Sequence, residues 1–106
     1  MPKFLLRGSY TVDGANRLVE QGGSKRRQQV EEAVNAAGGR LEALYWALGE
    51  DDVILIADVP TTTAMAALSL ASASAGLIRP KTVMLMTAEE VDEAARQSGD
   101  IRAPGT

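Results

Sequence analysis

Three cations stand in a row, Lys25, Arg26 and Arg27, directly after Gly22, Gly23 and Ser24. At a helix start, unpaired N–H groups and a partial positive charge favour an anion, and added cations need one nearby. Glycines let a backbone approach closely, so the segment suits a phosphate or carboxylate. It is not a P-loop, because the Gly-Lys-Ser/Thr order and the preceding strand are missing. The same cations would otherwise lie in solvent or pair with Glu20, Glu31 or a second subunit. Tyr10, Tyr45 and Trp46 form a second group, apolar walls with polar tips such as a small-molecule pocket uses; core or interface packing is their other use. Arg7, Arg79 and Lys81 form a third, able to stabilise an oxyanion. Their alternative is pairing with Glu42, Glu50 or Asp58 across an interface. Glu50, Asp51 and Asp52 are consecutive, and one tight turn supplies too few oxygens for Ca²⁺ or Mg²⁺. A solvated hairpin tip is expected there, and no metal.

The inventory excludes much else. The chain of 106 residues has no Cys and no His, which removes disulfides, thiolate nucleophiles, Cys/His zinc sites, haem histidine ligands and Ser-His-Asp triads. No cofactor is expected. Residues 1–48 carry seven basic and five acidic side chains, and residues 49–106 carry four and nine. Neither half makes a nucleic-acid footprint. The longest aliphatic run, Val53 to Ala57, is far below the length of a membrane span. The segment Met1 to Arg7 lacks a signal-peptide core, so a soluble cytoplasmic protein is expected.

The elements that must position these residues follow from periodicity. Lys3 to Thr11 alternates partly and precedes Asp13-Gly14, which predicts a strand. Ala15, Leu18 and Val19 predict a short helix, broken at Gly22-Gly23. Ser24 is placed to cap a second helix over Lys25–Ala37, stopped by Gly38-Gly39. Arg40 to Leu48 alternates, with Leu41, Ala43 and Tyr45 on one face and Glu42, Leu44 and Trp46 on the other. Val53 to Val59 is a strand apolar on both faces. A helix from Thr61 or Thr62 to about Ala75 follows, then an edge strand from Leu77 to Met86 containing Pro80. Thr87-Ala88-Glu89-Glu90 is a capping box opening a last helix that reaches Ser98. The order predicts an α+β, ferredoxin-like βαββαβ domain over residues 1–98, with a four-stranded antiparallel sheet, an extra C-terminal helix and a tail over 99–106. Both main helices cover one sheet face. The other face would carry Leu5, Arg7, Ser9 and Thr11 beside Arg79, Lys81, Val83 and Leu85. A second chain is expected to bury it; the alternative is a monomer covered by its own last helix.

Gly8-Ser9-Tyr10-Thr11, Gly22 to Arg27, Gly38-Gly39-Arg40-Leu41-Glu42, Gly49-Glu50-Asp51-Asp52, Asp58-Val59-Pro60 and Thr87 to Val91 occur in an order and spacing that resembles the GYD domain family of small bacterial proteins. The resemblance covers nearly the whole chain. It implies similarity to the dimeric α/β barrels built from ferredoxin-like halves, and it assigns no activity. Asp51 stands where the family's naming motif has Tyr, between the matching Gly49 and Asp52.

The expected function is a homo-oligomeric protein, a dimer in its simplest form, that binds a small anionic or amphipathic molecule through Arg7, Tyr10, Ser24, Arg26, Arg27, Tyr45, Trp46 and Arg79. One alternative is a cofactor-independent enzyme with Tyr10 or a carboxylate as acid/base and Arg7 or Arg79 as oxyanion partner. Another is an assembly module without ligand, in which the smooth Ala71–Ala75 surface packs against a neighbour. Seventeen Ala and ten Gly against four aromatic residues make a thin core, which independently favours a partner subunit.

Overall fold

The computed structural model describes residues 1–105. Thr106, the end of the expected tail, lies outside the described residues. Four strands, β1 (Lys3–Tyr10), β2 (Arg40–Trp46), β3 (Val53–Asp58) and β4 (Ile78–Leu85), form one antiparallel sheet in the order β2-β3-β1-β4. α1 (Val12–Gln21) and α2 (Gly23–Ala36) together cross from β1 to β2, and α3 (Thr62–Ser74) crosses from β3 to β4. Each crossover returns parallel with one strand between, so two βαβ units interleave. This is the α+β, ferredoxin-like arrangement. α4 (Ala88–Ser98) follows β4.

Local chemistry sets the element ends. Thr11, Thr61 and Thr87 each accept the hydrogen bond that caps the next helix. At Thr87 the full capping box is present: Glu90 Oε1 accepts from Thr87 N at 3.0 Å and Thr87 Oγ1 accepts from Glu90 N at 3.1 Å. Ser24 is not a cap. The residue between α1 and α2 is Gly22, whose φ of 80° is open to glycine, and α2 starts without a side-chain cap. Gly38, at φ 81°, ends α2 as the sequence predicts.

The core lies between sheet and helices. Phe4, Leu6, Leu44, Val53, Leu55, Ala57 and Ile78 come from the strands, and Val34 and Met65 from α2 and α3. Alternation along β1 and β3 holds. In β2 it breaks: the register shifts between Leu41 and Ala43, leaving Glu42 as a bulge. Leu41 therefore shares the helix face with Leu44 and Trp46, while Ala43 and Tyr45 turn to the open face. α4 buries no residue, so the last helix does not cover the open sheet face of its own chain. It extends the molecule to 55 × 28 × 23 Å.

Candidate functional site

The two sheet faces divide the candidate residues. On the open face, the register lines up Ala43, Ile56, Leu5 and Val83 across all four strands as an apolar row. The next row is Tyr45, Ile54, Arg7 and Lys81, and beyond it Ser9 lies opposite Arg79. On the other side, Lys3, Arg40 and Asp58 form a charged row. Lys3 Nζ donates to Glu42 Oε2 at 2.7 Å and pairs with Asp58 Oδ1 at 3.1 Å. The Glu42 hydrogen bond, and next the one to Asp58, raises the Lys3 pKa above its ordinary value.

Arg7 and Lys81 find their partner inside the chain. Asp51 reaches over the open face, with Oδ2 3.6 Å from Arg7 Nε and Oδ1 3.6 Å from Lys81 Nζ. The hairpin tip is thus not a solvated acidic cluster. Asp51 lies between two cations with its side chain 16% exposed. Asp52 Oδ2 accepts from Tyr10 N at 2.9 Å, and Asp52 N donates to Gly8 O at 2.8 Å. Within one chain, among the described residues, Arg7 and Lys81 pair with Asp51 rather than with Glu42, Glu50 or Asp58. Arg79 has no carboxylate partner there. No group of three carboxylates among these residues is arranged to hold a metal.

On the helix face, α2, α3 and the sheet line a chamber of about 120 Å³ that is partly open to solvent. Its wall is aliphatic: Leu6, Val30, Val34, Val53, Leu55, Leu68 and Ile78. Polar atoms come from Arg26, Gln29, Tyr10 and Ser72. Arg26 sits in the first turn of α2, which turns it inward while Ser24, Lys25 and Arg27 are exposed. Arg26 Nη1 donates to Gln29 Oε1 at 3.4 Å. It has no carboxylate partner among the described residues. A half-buried guanidinium facing an apolar chamber is an arrangement that a carboxylate would complete.

Tyr10 belongs to this chamber and to a shallower hollow formed with Leu18, Val19, Trp46 and Leu48. Trp46 Nε1 donates to Tyr10 Oη at 3.0 Å. Tyr45, by contrast, is on the open face and 71% exposed. The candidates therefore fall into Tyr10, Arg26 and Trp46 on one side of the sheet and Arg7, Tyr45 and Arg79 on the other. Tyr10 and Arg7 cannot act on one substrate within a single chain, because the sheet separates them. Gln29 and Ser72 are not among the residues that the sequence singles out. Gln29, three residues after Arg26, had a helical-spacing signal; Ser72 had none beyond its Ala-Ser tract.

No helix among the described residues is long and apolar enough to cross a membrane. A comparison with curated proteins finds no match for this chain. The family model described as GYD domain matches residues 4–95, from the first core residue of β1 into α4, so the chain belongs to the GYD domain family.

Proposed function

We propose that the chain is a homo-oligomeric binding protein for a small amphipathic acid. The supporting observation is the chamber with Arg26 at its polar end. Its volume of about 120 Å³ approaches that of the roughly 150 Å³ apolar cavities that accept a benzene-sized guest. A chain of about five carbons buried there gains about 4 kcal/mol, at about 0.8 kcal/mol per CH₂. The carboxylate would meet the Arg26 guanidinium, and the hydroxyl of Tyr10 is a further polar contact. Hexanoate is a suitable probe, with a Kd on the order of 1 mM or tighter. Calorimetric titration of two ligands against two proteins tests this. Hexanoate should bind the parent about tenfold more tightly than hexan-1-ol does, and Arg26→Gln should remove that difference. Equal affinity of acid and alcohol for the parent, or no binding of either, would overturn the reading. Homo-oligomerisation is supported by the open sheet face, where an apolar row, half-buried at Ala43, Ile56 and Leu5 and exposed at Val83, lies between charged ones.

A further inference from the structure

α4 is the element that its own chain leaves without a packing partner. Ala88, Val91, Ala94 and Ala95 share one side of the helix, Glu89 and Glu93 lie toward the other, and Asp92 borders the apolar side next to Ala88 and Ala95 at 100° per residue. Val91 is 52% exposed and Ile101 68%. Only Met86 and Thr87 separate β4 from α4, and the capping box holds the helix start. The helix therefore leads away from its own sheet. The radius of gyration is 16.5 Å, against about 13 Å for a compact chain of this length. The accessible surface is 7058 Å², against about 5,700 Å² for a compact monomer of this mass. The excess exceeds the roughly 800 Å² that each partner contributes to a standard interface.

Charge and polarity indicate what α4 fits. It carries Glu89, Glu90, Asp92 and Glu93 against a single cation, Arg96, which is paired with Glu93. The open sheet face offers the apolar row from Ala43 to Val83 and, at its β4 edge, Arg79 without a carboxylate partner among the described residues. An acidic helix with an apolar stripe complements a basic edge beside an apolar row.

We propose that α4 is a dimerisation arm that lies across the open sheet face of a second copy. Val91 and Ala95 pack on the apolar row, and Asp92 pairs with Arg79 of the other chain. Two-fold symmetry makes the exchange reciprocal. The inference rests on the homo-oligomer reading above and names the segment that performs it.

Sedimentation equilibrium on the full chain and on exposed-site variants tests it. Val91→Glu should raise the dimer Kd by about tenfold or more. Asp92→Lys and Arg79→Glu should each weaken the dimer, and the double variant should recover most of the loss, with circular dichroism confirming intact folds. A parent that stays monomeric at about 100 µM overturns the homo-oligomer reading and the arm with it. A dimeric parent whose Kd is unmoved by Val91→Glu and by both charge reversals overturns the arm alone.

Discussion

Asp52 connects the hairpin tip to the strand that bears Tyr10, and its replacement by Ala is the most informative single perturbation of the site's support. Three bonds converge on this residue: Oδ2 accepts from Tyr10 N at 2.9 Å, its N–H donates to Gly8 O at 2.8 Å, and its carbonyl accepts from Ala47 N at 2.9 Å. Asp52→Ala keeps the two backbone bonds and deletes the first. That bond is charge-assisted and part-buried, and its loss leaves the Tyr10 amide without its acceptor. Such a loss costs about 1.5–3 kcal/mol. For a domain of this size, about 4 °C of Tm accompanies each kcal/mol, so thermal unfolding should fall by about 6–12 °C. Asp52→Asn keeps a neutral acceptor and should lose about half as much. Trp46, the one tryptophan, supplies a local readout. Its Nε1–H donates to Tyr10 Oη, so displacement of Tyr10 exposes it to water and should shift its emission to the red. A Tm for Asp52→Ala within 2 °C of the parent (below about 0.5 kcal/mol), with unchanged emission, would refute the assignment of Asp52 as the anchor of Tyr10.

Three further outcomes follow from the structure. Gly14→Ala should destabilise by about 3 kcal/mol, read by denaturant titration, because an added Cβ would stand 1.8 Å from the Leu77 carbonyl oxygen. Thr87→Ala should remove about 1 kcal/mol of local helix stability; since α4 buries nothing within its own chain, at concentrations low enough to keep the chain monomeric amide exchange in α4 should quicken while the unfolding midpoint stays within error. Lys3→Met should lower Tm at neutral pH, and the gap to the parent should close in alkali. The raised Lys3 pKa means its contribution is complete below the ordinary value of 10.5 and is lost as pH rises through the higher folded value.

Residues whose neighbours are close in sequence were legible; those set by tertiary contact were not. The capping box at Thr87 and the glycine stop at Gly38 depend on a few adjacent residues, and both were read correctly. The placement of Arg7, Arg79 and Lys81 on one face followed from strict alternation along two regular strands. β2 defeated the same argument, because the bulge at Glu42 moves Leu41 to the opposite face from Ala43 and Tyr45, and nothing in the spacing marks a bulge. Asp51 and Asp52 read as solvent-facing because three consecutive carboxylates resemble a polar tip. Their partners, Arg7, Lys81 and the Tyr10 amide, lie about 30 or more residues away and meet them only through the sheet register. Ser24 has a good capping side chain, yet Gly22 took the junction because the turn between α1 and α2 needs a positive φ. The chamber itself was not legible, since its wall draws on five elements.

In the proposed function, the chamber between α2, α3 and the sheet takes the tail of a small acid while Arg26 holds its carboxylate. Intermolecular nuclear Overhauser effects in solution test it most directly, with methyl-labelled protein and saturating hexanoate. Contacts are expected from the hexanoate methyl to Leu55, Leu68 and Ile78, and from the protons beside the carboxylate to Arg26. Contacts confined to the open face, at Leu5, Ile56 or Val83, or none to any methyl group, would contradict it.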